Sequence, residues 1–341
     1  MAEKKRVHSI DDLIFIGAGP IGLFGAFYAG LRGVKTKLIE SLPQMGGQLT
    51  ALYPEKFIYD VPGFVGVQAK VLAQNLIDQA QRFEPAICTG EQVTNVQRHD
   101  GIWQIETDRA IHRCKAVILT IGIGAFEPKR LGDPAIDAYE GKGVHYFVPS
   151  AAAFKGQNVM VVGGGDSAVD WALMLEPVAK SVLLIHRRDQ FRAHESSVAQ
   201  LTASGVKVQT PYELVRLEGE SRVERAVIVN NKSKEEQALP MDAVVFGLGF
   251  RSNLGPLADW GLELADGEVK VNSFKMDTNL PGVYAAGDVA TYAGKIKLIA
   301  TGFGEVAMAV NHACHYINPD ARVDPGHSSN RTELETAGNR K

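Results

Sequence analysis

Residues 13–31 constrain this chain more than any other stretch. Leu13-Ile14-Phe15-Ile16 is an unbroken apolar run, Gly17-Ala18-Gly19-Pro20-Ile21-Gly22 follows, and Leu23, Phe24, Ala26, Phe27 and Ala29 then recur at helical spacing. The run predicts a short buried strand, the glycines a tight turn and the spacing a helix. In the order G-x-G-x-x-G each glycine serves a different end. The first permits the sharp turn, the second lets backbone approach a pyrophosphate, and the third lets the helix lie close on the strand. Free N–H groups and the positive dipole end at the helix start favour phosphate charge. The hexapeptide alone is a common turn, and its surroundings make it specific. A second apolar strand, Thr36-Lys37-Leu38-Ile39, ends in Glu40, 23 residues past Gly17. A carboxylate there accepts hydrogen bonds from both ribose hydroxyls and repels a 2′-phosphate.

The same pattern recurs. Val159-Met160-Val161-Val162 leads into Gly163-Gly164-Gly165-Asp166-Ser167-Ala168, with Ala168 in the third small position. Two further buried strands end in glycine: Ala116–Leu119, running on to Gly122 and Gly124, and Ala243–Phe246, running on to Gly247 and Gly249. The order is fingerprint, closing strand, fingerprint, closing strand, which an internal duplication of two dinucleotide-binding units explains. The two units differ where the ribose is selected. The residue 23 past Gly163 is His186, followed by Arg187 and Arg188, with Arg192 one helical turn on. Cations in place of a carboxylate remove the repulsion against a 2′-phosphate, and guanidinium forks grip it. The second site is therefore expected to favour NADPH over NADH. A solvated basic turn is the plainer reading of the same residues.

Length and composition fit this plan. A chain of 341 residues suggests about two domains. A net charge of −3 gives no global basis for binding nucleic acid or an anionic membrane. Cys88, Cys114 and Cys314 lie far apart, form no C-x-x-C and no zinc spacing, and read as buried thiols in a reducing compartment, so no metal is expected. The charged start, Met1 to Asp12, precedes an apolar run too short for a signal peptide, and no stretch reaches membrane-spanning length. The expected location is the cytoplasm.

Between the fingerprints, Gly46-Gly47-Gln48 offers backbone N–H groups unobstructed by side chains, suited to a flat ring or a phosphate. Tyr53 follows; on residue grounds alone it is a core or surface tyrosine, and a planar ligand could lie against it. Ala69–Arg82 shows helical spacing at Val71, Leu72, Leu76 and Ile77, and alternation from Val93 to Arg113 predicts an antiparallel excursion. Glu218 to Glu236 is charge-rich and predicts an exposed hairpin or loop. Val283-Tyr284-Ala285-Ala286-Gly287-Asp288 predicts a short strand that delivers an aspartate into a turn, and Thr301-Gly302-Phe303-Gly304-Glu305 opens an alanine-rich helix. The tail from Asn318 is polar, and disorder is expected in its last dozen residues.

Two fingerprints, an interposed second unit and the Gly287-Asp288 turn together resemble the two-dinucleotide-binding flavoprotein superfamily, across nearly the whole chain. The resemblance implies an α/β fold of two Rossmann-like three-layer ββα domains, the second inserted in the first. Residues 1–123 and 250–341, with a C-terminal extension, would bind FAD, and residues 124–249 would bind NADPH. On the FAD side it implies Gly17, Gly19, Pro20, Gly22, Glu40, Gly47, Gln48, Tyr53, Gly122, Asp288, Thr301 and Ser328. On the NADPH side it implies Gly163, Gly165, Asp166, Ser167, His186, Arg187, Arg188 and Arg192. Asp288 would hold the ribityl or phosphate part of FAD, and the helix opening at Gly302–Glu305 would point its positive end at the flavin pyrimidine edge.

The order of motifs through Gly143–Ser150, Phe154-Lys155-Gly156 and His186–Ala193 resembles the thioredoxin reductase branch more closely, with one departure. Phe147-Val148-Pro149-Ser150 stands where that branch carries its redox C-x-x-C, so disulfide exchange has no attacking thiolate. The chain therefore resembles the ferredoxin–NADP reductases of the thioredoxin-reductase-like type, which lack the dithiol and extend the C-terminus. That resemblance implies Tyr53 on one flavin face, His327 on the other and Ser328 near flavin N5, with no acid–base residue. It implies hydride transfer from NADPH and single-electron delivery to ferredoxin, in a homodimer whose tails cover flavins. The glycine-ended crossings near 120–126 and 247–253 are candidate hinges. Flavodoxin, a quinone or a small disulfide as acceptor stays open, as does a low-turnover flavin redox sensor.

Overall fold

The computed structural model describes residues 6–148, 150–253 and 255–330. The chain divides into two compact units: 1–50, 56–125 and 252–341 in one, and 51–55 with 126–251 in the other. Both are α/β.

In the first unit, β1 (Arg6–Ile16) leads through the glycine turn to α1 (Pro20–Leu31), β2 (Thr36–Glu40), α2 (Ala69–Gln81) and β3 (Ala86–Thr89). A meander of β4 (Val93–His99), β5 (Ile102–Thr107) and β6 (Ala110–Leu119) follows. The order is β3-β2-β1-β6-β5-β4 in a seven-stranded sheet. β1 runs parallel to both β2 and β6, pairing Phe15 with Leu38 and with Ile118. With both edges and both faces covered, Leu13, Ile14, Phe15, Ile118 and Leu38 are fully buried, as a central parallel strand requires. β1 starts seven residues before the apolar run. Its first half is polar and still pairs with β6, through an irregularity between Val7 and Ile10. On α2 the buried stripe is Leu72, Ala73, Leu76 and Ala80, and Val71 faces outward.

In the second unit, β7 (Val144–His145), β8 (Asn158–Val162), α3 (Asp166–Leu175), β9 (Ser181–Ile185), α4 (Glu195–Ala203) and β10 (Lys207–Gln209) come first. They are followed by β11 (Tyr212–Glu218), β12 (Arg225–Asn230), β13 (Glu236–Pro240) and β14 (Ala243–Phe246). The order β7-β14-β8-β9-β10 makes a five-stranded parallel sheet, and β11-β12-β13 form an antiparallel one. Of the exposed hairpin or loop expected over 218–236, the hairpin pairing is present, but its middle strand is not exposed. Ala226, Val227 and Ile228 of β12 are buried, and Ala226 and Ile228 join Leu214, Val244 and Phe246 in one core cluster. The charges flank an apolar run instead of replacing it.

The chain then returns to the first unit. β15 (Val283–Ala285) pairs with Val117–Leu119 of β6, on the edge whose lower half, Ile111–Cys114, is taken by β5. α5 (Ile299–Ile317) begins before Thr301, so Gly302 and Glu305 lie in its first and second turns. No described helix is long and apolar enough to cross a membrane. The segment expected to be disordered lies, from residue 331 onward, outside the described residues.

Candidate functional sites

In the first unit, four loops meet with no Cβ between them. Gly17 has φ +103°, and a Cβ there would lie 2.5 Å from the Thr120 carbonyl oxygen. A Cβ on Gly22 would lie 2.0 Å from the Gly17 carbonyl oxygen. Thr120, which the sequence motifs do not mark, ties the strand ends together: its hydroxyl donates to the Gly17 carbonyl at 2.7 Å. Gly47 (φ +55°) packs on Gly19, where its Cβ would sit 2.8 Å from the Gly19 Cα, and the Gly46 N–H donates to the Ala18 carbonyl at 2.9 Å. A Cβ on Gly122 (φ +61°) would lie 3.2 Å from the Gln48 amide nitrogen. On the other side, a Cβ on Gly302 would meet Ile21 at 2.5 Å and the Gly287 Cα at 3.5 Å. Asp288, half-buried, follows Gly287, and Thr301 is half-buried at the start of α5.

α1 begins at Pro20 with Gly19 at its N-cap, no side-chain cap and no acidic residue in its first turn. Its end is therefore left for an external anion. Glu40 is 6% exposed. Its Oε2 accepts the Ala18 N–H at 2.7 Å, and its Oε1 accepts the Leu42 N–H at 2.9 Å and the Ser41 hydroxyl at 3.3 Å. Three of roughly four acceptor positions on a carboxylate are thus in use. One remains for a ribose hydroxyl; the second hydroxyl needs the exposed Ser41 to turn away. Burial raises the Glu40 pKa, opposed by the backbone N–H groups of Leu42 and Ala18.

In the second unit the turn is built alike. A Cβ on Gly163 would lie 2.4 Å from the Gly247 carbonyl oxygen, and one on Gly247 would lie 2.6 Å from the Ala168 Cα. Gly165 caps α3 with open space around it, Asp166 is exposed and accepts the His194 N–H at 2.9 Å, and Ser167 is half-buried. Arg187 and Arg188 are exposed, as is Arg192. The Arg192 N–H donates to the Gly164 carbonyl at 2.7 Å, which holds the third arginine beside the fingerprint. His186 stands apart from them. It is buried, stacks on Phe191 with centroids 5.4 Å apart, and has Nε2 3.2 Å from the Gln190 carbonyl oxygen. Burial lowers its pKa, and the ring packs against Gly164.

The three ring-side candidates belong to different units. Tyr53 is half-buried in Ala51–Glu55, a segment that belongs to the second unit although the first flanks it on both sides in sequence. His327 and Ser328 are exposed on the tail. Arg32 fastens the tail's base: its guanidinium donates to Asn311 Oδ1 and to the carbonyls of Arg322 at 2.6 Å and Val323 at 3.3 Å.

The thiols offer no dithiol. Cys88, Cys114 and Cys314 are free, and burial raises all three, Cys314 to about 11. Cys88, Glu91 and His112 bring ligand atoms within 4.8 Å of one another. Both His112 nitrogens are engaged, however: Nε2 lies 2.9 Å from Glu91 Oε2 and Nδ1 3.4 Å from Lys37 Nζ. Lys37 in turn pairs with buried Asp11 at 2.5 Å. Cys88 on β3, Glu91 just past it and His112 on β6 are thus joined to Lys37 and Asp11 by hydrogen bonds and an ion pair.

Known proteins resemble this chain in sequence and in fold. The profile of the pyridine nucleotide-disulphide oxidoreductase family matches residues 11–313. A ferredoxin–NADP reductase of Geobacillus kaustophilus is 51% identical over 327 residues, covering 95% of this chain and 98% of the relative. One of Halalkalibacterium halodurans is 52% identical over 326 residues, covering 95% and 98%. Among solved structures, Lactococcus lactis thioredoxin reductase superposes with TM-score 0.70 at 26% identity, over 90% of this chain and 99% of that one. The T. acidophilum thioredoxin reductase gives 0.71 at 26%, over 90% and 98%.

The Glu40 environment generates a pH test. Its carboxyl is raised in the folded state, so the stability it contributes is present below the unfolded carboxylate pKa and is lost as pH rises through the folded value. The unfolding free energy of apoprotein minus that of Glu40→Gln should therefore fall as pH rises above the ordinary carboxylate range, about pH 4. Urea titrations that show a flat or rising difference would refute the burial assignment.

Proposed function

Because this chain belongs to the pyridine nucleotide-disulphide oxidoreductase family, we propose that it acts as a ferredoxin–NADP reductase of the thioredoxin-reductase-like type, with FAD and NADPH. One observation carries this reading. Two glycine-cradled nucleotide sites bear opposite ribose selectors, buried Glu40 and exposed Arg187-Arg188, in a chain whose thiols form no dithiol.

The first unit is the FAD unit. The Cβ-free cradle of Gly17, Gly19, Gly22, Gly47 and Gly122 leaves backbone open to a pyrophosphate, and the uncapped start of α1 at Pro20 supplies the partial charge. Glu40 takes a ribose hydroxyl, Gln48 borders the cradle, and Asp288, next to Gly287 in the turn after β15, is the side chain we assign to the ribityl or phosphate part. The first turn of α5, which holds Thr301, turns the positive end of a 19-residue helix toward the ring system. When bound, FAD supplies the conversion of a two-electron donor into single-electron transfers.

The second unit receives NADPH. The Gly163–Gly165 turn, Asp166 and Ser167 open α3 to its pyrophosphate, and Arg187, Arg188 and Arg192 meet the 2′-phosphate. None of the three is paired with a described acidic side chain, so no internal ion pair has to break when a phosphate arrives. Tyr53 and His327 are the rings we assign to the flavin faces, with Ser328 beside the second. The exposed tail supports cover of a flavin in a partner copy, hence a homodimer. The exposed strip of Phe57, Tyr59, Phe64 and Val65 gives such a dimer apolar surface. Free thiols and a nicotinamide donor support a cytoplasmic setting.

Three measurements test this. Replacing Arg187 and Arg188 by alanine should raise the NADPH Michaelis constant by about 10- to 100-fold, the scale of one or two charge-assisted bonds, and erode the preference over NADH. An unchanged preference would move the 2′-phosphate elsewhere. Purified holoenzyme should reduce cytochrome c with NADPH only when ferredoxin or flavodoxin is added. Flavin reduction without that dependence would leave NADPH and FAD in place and turn attention to quinones, disulfides or a sensing role. Sedimentation should give twice the chain mass, and a monomer would remove the partner-tail arrangement.

A further inference from the structure

The turn that presents Asp288 is held by groups outside both fingerprints. Glu305, in the second turn of α5, is 2% exposed. Its Oε2 accepts the Gly287 N–H at 2.8 Å, and its Oε1 accepts the Tyr292 hydroxyl at 2.7 Å. Oε1 also pairs with Lys295 Nζ, and that ammonium donates to the Gly287 carbonyl at 3.0 Å. The Lys295 and Glu305 side chains are 5% and 2% exposed. One buried ion pair therefore holds both peptide planes that flank Gly287: the carboxylate takes the N–H before it and the ammonium takes the C=O after it. Gly287 itself (φ +81°) rests on Ile21 of α1, the helix whose start faces the FAD pyrophosphate in the proposed function.

Desolvating two charges is a costly way to anchor a turn, and an apolar contact would be cheaper. An ion pair split across one residue does what an apolar contact does not. It fixes φ and ψ of Gly287 together, since neither peptide plane can rotate without breaking a charge-assisted bond. The next side chain along is Asp288. We propose that Lys295 and Glu305 are positioning residues for the cofactor, aiming the Asp288 carboxylate at FAD. The proposal rests on the assignment of FAD to the first unit.

The test is a double-variant cycle on the full chain, read by flavin fluorescence as apoprotein is titrated with FAD. Glu305→Gln and Lys295→Met should each raise the FAD dissociation constant about ten-fold or more, as should Asp288→Asn. If the pair acts through Asp288, the combined Asp288→Asn/Glu305→Gln variant should bind within about two-fold of its weaker parent, because coupled residues are not additive. A merely structural pair gives the product of the two single effects, which would overturn the proposal. Where Glu305→Gln does not fold, Tyr292→Phe carries the same cycle, with an expected loss of about three-fold. Variants that bind FAD as tightly as wild type overturn the positioning role alone. A wild-type chain that binds no FAD overturns the assignment beneath it.

Discussion

The contact on which both units depend is backbone against backbone with nothing between. In each, the first turn glycine sits where a Cβ would enter the carbonyl of a neighbouring strand's exit, 2.5 Å from Thr120 in one and 2.4 Å from Gly247 in the other. Separations this short cannot be relieved by rotating a side chain, so the loop either has glycine or has a different shape. The third position shows where the requirement relaxes. Gly22 must be glycine because its Cβ would lie 2.0 Å from the Gly17 carbonyl. Ala168 is tolerated in the second unit because Gly247 has given up its own side chain there. The duplicated turn is one solution to helix-on-strand approach, with the missing methyl moved from one partner to the other.

The two groups proposed as ribose selectors obey opposite electrostatic regimes. Glu40 is buried, and its carboxylate is held by backbone N–H groups of the turn it serves, so it acts as part of the frame before any ligand arrives. Desolvation works against its charge, and the hydrogen bonds offset this. The arginines of the second unit are exposed and remain solvated until a phosphate meets them. A buried carboxylate gives a rigid preference for a free ribose; exposed guanidiniums supply charge for a phosphate wherever it settles within their reach. His186 does not share in this. It sits in the sequence position of the selector, but its ring faces inward onto Phe191 and Gly164 and shapes the loop.

How much of this is legible in the sequence depends on whether a residue announces its role locally. Glycine turns and apolar strands do, since sterics and periodicity act over neighbouring residues. The ion pair at Gly287 does not: Lys295 reads as a loop lysine and Glu305 as a glutamate on a helix, and only the return of α5 beside β15 brings them to one peptide. The polar first half of β1 is silent for a similar reason. Asp11 becomes tolerable in a strand because Lys37 of β2 meets it at 2.5 Å. β12 is hidden by its flanks: a window that also takes in Glu220, Arg222 and Glu224 averages out Ala226-Val227-Ile228, though of these only the latter are buried. Thr120 and Arg32 act through partners about a hundred or more residues away, beyond the reach of spacing arguments.

The missing dithiol has a consequence for where electrons leave. A thiol relay needs a thiolate near neutral pH, a partner thiol within bonding distance and access for the incoming disulfide. Cys114 and Cys314 are buried with raised pKa values, Cys88 is raised by burial and by Glu91, and the three are free. In the function proposed above, no thiol pair carries the electrons onward, so they leave from the cofactor's own edge and the acceptor comes to it. That makes the cover of the edge, and not an internal relay, the point at which a partner is admitted. In the proposed function the tail supplies that cover. Arg32 ties it down as far as Val323, and the exposed residues beyond, His327 among them, are left to meet whatever docks.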